Sequence, residues 1–421
     1  VPSEAVRTEQ AGRVYDWAKQ GVGGTVSPNL SLHPCGPFRC YISMFSWYYC
    51  SRKYDLKGMM DVKIWRGLLA CFIAVALSSG ASALEIVDGL GRTVEVPDMV
   101  DRIICSGSGS LRLATYLQLW DKVVAVDSIE RKTDRFDARP YALARPAYKD
   151  LPLFGEFRGD DSPELILSLD PAPQVIFKVG CTVKEADTLY EKTAIPVVAL
   201  NYGNLVDGRD NLYSAIRIMG QVAHAKDRAE EVVAFLDRTI EDLRSRAADV
   251  EAKPSAYVGG IAFRGPHGLL STEPTYPPFA FSGVVNVAAQ GAGVKAKHAV
   301  VAKEALLQWD PEIIFIDLST ITATGGGALK ELSEPLWEGL SAVKEGRIYG
   351  VLPYNWYNQN FGNILADAYF VGSLIFPDRF SDVDPSAKAD EIFSFLVGEP
   401  VFKRLNQAFD GKVFVPLEVG R

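Results

Sequence analysis

The chain has 421 residues, 48% of them hydrophobic and 23% charged, with a formal net charge of −8. That length gives room for two domains and a sizeable core. The acidic excess lies beyond residue 83, which argues against nucleic acid as a partner, since that calls for basic surface.

Residues 1–58 show no sustained hydrophobic period and hold Cys35, Cys40 and Cys50. After Met59 and Met60 come a basic stretch from Lys63 to Arg66, the apolar run GLLACFIAVAL and the small-residue exit SSGASA. These are the parts of a secretory signal peptide. Residues 59–83 are therefore expected to be a signal segment cleaved after Ala83, and residues 1–58 a non-native upstream extension. The working chain is expected in the periplasm. The apolar run is short for a membrane span. Leu68-Leu69-Ala70-Cys71 resembles a lipoprotein box but leaves too little apolar sequence before the cysteine.

Asp88-Gly89 and Leu90-Gly91 mark a turn between two short strands. Arg102 to Ser106 reads as a strand, Ser110 to Trp120 as a helix and Val123 to Asp127 as the next strand. The turn Gly107-Ser108-Gly109-Ser110 lacks the third glycine of the dinucleotide fingerprint. Its backbone N–H groups are still suited to an anion, although a plain tight turn is an equal reading. The loop Gly155-Glu156-Phe157-Arg158 then leads into SPELILSLDPAPQVIFKVG, Ser162 to Gly180. A related stretch, AKEALLQWDPEIIFIDLS, runs from Ala302 to Ser319. Each describes an amphipathic helix opened by a glutamate (Glu164, Glu304) and closed by Asp-Pro, then a buried strand.

Between the two stretches lies Lys226 to Asp249, without Gly or Pro. Apolar or small residues recur there at Ala229, Val233, Leu236, Ile240, Leu243 and Ala247, one face of a helix roughly 36 Å long. Internal similarity on either side of a long helix predicts two related α/β lobes, each with a mostly parallel sheet flanked by helices. The expected boundaries are 84–224 for the first lobe, 225–250 for the linking helix and 251–421 for the second lobe. The cleft between lobes is the default ligand site.

In the second lobe a strand is expected from Ala256 to Ile261, then a long loop with Arg264 and His267, and a helix from Phe281 to Gln290. A strand from Arg347 to Leu352 and a helix from Phe361 to Phe376 flank PYNWYNQN. There Tyr354, Trp356 and Tyr357 alternate with amides such as Asn358. Aromatic faces offer contact area and amides fix orientation; an aromatic core edge is the plainer reading.

The opening D-x-x-G-R-x-V-x-V-P, Asp88 to Pro97, the Val123–Asp127 strand, the two Glu…Asp-Pro stretches and Gly283-Val-Val-Asn286-Val-Ala288 together resemble class III periplasmic binding proteins. These are the substrate-binding proteins of ABC importers for iron–siderophores, haem and cobalamin, and the likeness covers about residues 85–410. The resemblance implies a monomeric receptor that captures a metal chelate as cargo, a ferric siderophore first and haem or a corrinoid behind it. It implies no intrinsic cofactor, no bond made or broken, and delivery to an ABC permease in the inner membrane. Arg158, Arg264, Tyr354, Trp356, Tyr357 and Asn358 would face the cleft, and Glu164 and Glu304 would dock on permease arginines.

Other readings stay open. Glu164 and Glu304 could simply be helix-start acids favoured by the helix dipole. The competing classes are a two-lobed chelatase-like enzyme acting on a tetrapyrrole and a receptor for a free metal ion. The body holds only His224, His267 and His298, without metal-ligand spacing, though His267 and His298 could meet across a loop. Cys105 and Cys181 read as two separate thiols, with a disulfide as the alternative.

Overall fold

Two largely parallel sheets, one on either side of a 21-residue helix, form the computed structural model, which describes residues 83–131, 137–250, 253–291 and 298–419. The expected extension and signal segment lie outside these residues, apart from Ala83, which opens the first strand.

Strands β1 (Ala83–Val87) and β2 (Thr93–Pro97) make an antiparallel hairpin. Its turn is held by Asp88, whose carboxylate accepts the N–H groups of Leu90 and Arg92 and pairs with the Arg92 guanidinium. The first sheet contains β3 (Ile103–Ser106), β4 (Val123–Asp127), β5 (Leu153–Glu156), β6 (Asp160–Asp161), β7 (Val175–Val179) and β8 (Val197–Leu200), in the order β6-β5-β4-β3-β7-β8. Only the β5–β6 pair is antiparallel. The second sheet contains β9 (Ser255–Gly259), β11 (Val285–Asn286), β13 (Ile313–Asp317) and β14 (Ile348–Val351), all parallel, in the order β11-β9-β13-β14. The remaining two, β10 (Ser271–Thr272) and β12 (Ala299–Val300), pair apart from both sheets.

Strand side chains alternate between faces, so a strand covered on both sides must be apolar throughout. Ile103 and Phe177 face one core of the first sheet while Ile104 and Ile176 face another. Ile313 and Phe315 of the second sheet share the first of these cores, and Ile314 and Ile316 face a third.

Helices and one loop connect and flank these strands. They include α1 (Ser110–Tyr116), α2 (Pro163–Leu167), α3 (Arg209–Val222), α4 (Lys226–Arg246), α5 (Lys303–Trp309) and α6 (Phe361–Ile375), together with the loop from 353 to 360. The expected stripe of α4 is buried at Ala229, Val233, Leu236, Ile240 and Leu243, in the core shared by both sheets, and Ala247 is buried just past its end. Burying one such Leu or Ile is worth about 1.5–3 kcal/mol. The exposed Arg217–Glu230 pair between α3 and α4 adds far less, because water screens it. Because one core runs through both sheets and α4, the two lobes are packed on each other as well as linked by a helix.

The two similar stretches fold alike. Each gives a short helix, α2 or α5, then a central strand, β7 or β13. The expected helix from Phe281 to Gln290 is broken. A helix over Pro277–Ser282 ends at Gly283, which has φ of 70°, a left-handed conformation that glycine adopts readily. Val285 and Asn286 then pair with β9 as an edge strand, and a short helix follows at Ala288–Gly291.

Candidate functional site

The turns at the carboxyl ends of the strands converge on one cavity of about 710 Å³, the crevice in which open α/β sheets hold ligands. From the first sheet come Ser108 after β3, Ile129 after β4, and Phe157 and Arg158 after β5. From the second come Arg264 after β9, Thr322 after β13, and Trp356, Tyr357 and Asn358 after β14. Five of the six residues expected at the cleft therefore line one cavity, Arg158 from the first lobe and Arg264 from the second.

Tyr354 does not reach it. That side chain is 2% exposed, its hydroxyl donates to Glu273 at 2.5 Å, and its ring meets the edge of Tyr276. Its N–H donates to the buried carboxylate of Asp317. The residue thus continues the inward side of β14, and the chain turns to the cleft only after it.

Arg158 and Arg264 are exposed, and neither forms an ion pair among the described residues. Each guanidinium lies over the ring of the preceding phenylalanine, 5.0 Å from Phe157 and 5.6 Å from Phe263. Arg158, Arg264, Tyr357 and Asn358 all have positive φ, between 51° and 71°. Such conformations are disfavoured for residues with side chains and gather at functional sites.

Hydrogen bonds between the lobes close the back of the cavity. Tyr357 donates its hydroxyl to Asp127 at 2.5 Å and accepts the N–H of Arg158 at 2.9 Å. Asn358 donates through Nδ2 to the carbonyl of Ser108 at 2.8 Å. Burial raises the Asp127 carboxyl to about 7, with nearby Glu130 acting the same way and the Tyr357 hydrogen bond opposing it. Burial likewise raises the Tyr357 phenol, and the Asp127 charge adds to the effect.

Behind the loop stands Arg112 of α1, 1% exposed. It donates to the carbonyl of Gln359 at 2.8 Å, to Oδ1 of Asn360 at 2.7 Å, to the carbonyls of Trp356 and Tyr357 at 3.3 Å, and to the Tyr202 hydroxyl. Sequence reading missed both Arg112 and Asp127. Asp127 left one signal, an acid closing the apolar strand VVAVD at its carboxyl end. Arg112 left a fainter one, a lone charge within the apolar run LRLATYL.

A second cavity, about 550 Å³, adjoins on the first lobe and shares Arg158. It is lined from that lobe alone, and the charge of its buried Lys178 is met by Asp161. The cavity between the lobes, with its two unpaired guanidiniums, is therefore the stronger candidate. Glu164 and Glu304 are exposed in the first turns of α2 and α5, and neither lines either cavity. The His267 and His298 rings do approach, with centroids 5.9 Å apart, but no group of three or more metal-ligating side chains occurs among the described residues. Cys105 and Cys181 are both free.

Residues 103–354 match the periplasmic binding protein family model, and the chain belongs to that family. It is a periplasmic solute-binding protein, and in this family the ligand is carried as cargo. Among characterised proteins the chain is similar to the molybdate-binding protein MolA of Haemophilus influenzae, at 24% identity over 342 residues, 75% of this chain and 92% of MolA. The structure of MolA bound to molybdate has a TM-score of 0.59 at 21% identity, covering 75% of this chain and 98% of MolA. A periplasmic solute binding protein from Veillonella parvula has a TM-score of 0.61 at 18% identity, covering 79% of this chain and 97% of its own. Helicobacter pylori CeuE with Ni(II) bound has a TM-score of 0.52 at 16% identity, covering 75% and 96%. At these identities the structural likeness establishes the two-lobed α/β fold.

Proposed function

We propose that the protein captures an anionic metal complex between its lobes and delivers it to the permease of an ABC importer. The observation that carries this reading is the pair of exposed guanidiniums, Arg158 and Arg264, one from each lobe in the lining of the cavity and without carboxylate partners among the described residues. A guanidinium recognises oxyanions through a planar fork of donors. Trp356, Tyr357 and Phe157 would cover the apolar part of a chelate. A cavity near 710 Å³ suits an organic chelate, so a ferric siderophore with oxygen donors is the first choice of cargo.

A bare tetrahedral oxyanion is the second reading. The likeness to molybdate-binding MolA favours it, as does Ser108 in the cavity lining. Titrating cargo-free protein with molybdate and with a ferric tris-catecholate complex, followed by tryptophan emission, separates the two. Saturable binding of the chelate alone supports the first reading, and of molybdate alone the second. Saturable binding of neither anion overturns both.

In the same reading residues 84–224 and 251–421 act as the lobes around the 225–250 helix, and the protein works as a monomer. The exposed Glu164 and Glu304, one per lobe and in matching helix turns, would face arginines of the permease.

A further inference from the structure

Arg112 is a buried charge without a carboxylate partner among the described residues. Removing an ion from water is costly unless its donors are met. Here the two terminal nitrogens are met by oxygens while Nε has no partner among the described residues, and four of the five acceptors are main-chain or side-chain oxygens of residues 356–360. The fifth, the Tyr202 hydroxyl, itself donates to the Gln359 carbonyl at 2.8 Å. The guanidinium also lies 5.3 Å from the Tyr141 ring centroid.

The direction of those carbonyls has a consequence. In a trans peptide the C=O and the following N–H point opposite ways. The carbonyls of Trp356 and Tyr357 face Arg112, so the N–H groups of Tyr357 and Asn358 point away from it. Both residues line the cavity, and among the described residues no protein acceptor meets these two N–H groups. Both residues have positive φ, 51° and 71°. The next N–H, of Gln359, is instead taken by Oδ1 of Asn358 at 2.9 Å.

We propose that Arg112 is a positioning residue: it grips the 356–360 loop by its oxygens and so aims the N–H groups of Tyr357 and Asn358 at an anionic cargo. The proposal rests on the reading of this cavity as the cargo site. It adds a backbone cradle to Arg158 and Arg264, and it gives the left-handed backbone at 357 and 358 a purpose.

The test compares wild type with Arg112→Lys, which keeps the charge but not the fork. Molybdate and ferric tris-catecholate are the probes. With whichever probe the wild type binds, the amide protons of Tyr357 and Asn358 should move downfield. In Arg112→Lys, hydrogen exchange across 354–360 should rise, and probe affinity fall, by about tenfold or more, the scale of a lost charged hydrogen bond. Exchange across β13 should stay unchanged, which a general loss of stability would not allow. Unchanged exchange at 354–360, or unmoved amide protons in the probe-bound wild type, overturns the proposal. If the wild type binds neither probe, the cargo reading fails, and the exchange comparison still decides whether Arg112 holds the loop. Should Arg112→Lys not fold, Tyr202→Phe removes the phenol shared by Arg112 and Gln359. Faster exchange confined to 354–360 then supports the proposal and an unchanged rate overturns it.

Discussion

Tyr357 donates its phenolic hydrogen to Asp127 across the two lobes, with 2.5 Å between the oxygens. The contact ties the loop after β14 to the end of β4, directly behind the cavity. It also buries a carboxyl whose pKa is raised to about 7, chiefly by burial.

That shift has a sign. The folded protein holds the Asp127 proton more tightly than the unfolded chain does. The stability gained is complete below the ordinary aspartate value of about 4 and is lost as pH rises through about 7. Asp317, also raised to about 7 by burial, acts in the same window. The melting temperature should therefore fall between about pH 5 and about pH 8, and fall less steeply in Asp127→Asn. Parallel melting curves for the two proteins across this range would show that Asp127 does not titrate there.

Arg158→Met and Arg264→Met should each weaken cargo binding by roughly 1–3 kcal/mol, the range for a charged hydrogen bond. Both side chains are exposed, so melting temperatures should hardly change. Calorimetric titration at low and high salt checks the prediction, because the wild type should lose more affinity to salt than either variant.

Trp356 is half-buried at the cavity wall. Trp356→Ala should cost roughly 1–3 kcal/mol in binding, as for a buried aromatic anchor. It should also remove most of the emission quenching expected when an iron chelate binds. Wild-type affinity in this variant would return Trp356 to the role of core edge.

Glu164 and Glu304 are solvent-exposed and line neither cavity. Changing both to Ala should abolish uptake in cells while leaving cargo affinity within about twofold, since rim charges away from a site contribute little to binding there. Normal uptake by the double variant would leave both as ordinary helix-start acids.

Much of the fold was legible because it rests on local period. The α4 stripe, the apolar runs of β4 and β13 and the paired Glu…Asp-Pro stretches are all patterns within about twenty residues. The break at Gly283 was not read, because the short β11 edge is defined by pairing with β9 and not by its own sequence. At the site, the residues gathered around the cavity are those with conspicuous chemistry on strand-end turns, such as Arg158 and Trp356. Tyr354 was misplaced because a tyrosine two residues upstream of Trp356 looks the same whether it meets solvent or Glu273. Arg112 escaped notice for a different reason. Most of its partners are carbonyls about 245 residues away, and a carbonyl carries no residue signature.

The central claim is that Arg158 and Arg264 hold an anionic metal complex between the lobes. Native mass spectrometry of protein released gently from the periplasm, beside the Arg158→Met/Arg264→Met double variant, tests it most directly. The account predicts one mass excess with the isotope pattern of a metal-containing anion on the wild type, absent from the double variant. A metal-free or cationic ligand, or the same mass excess on both proteins, would contradict it.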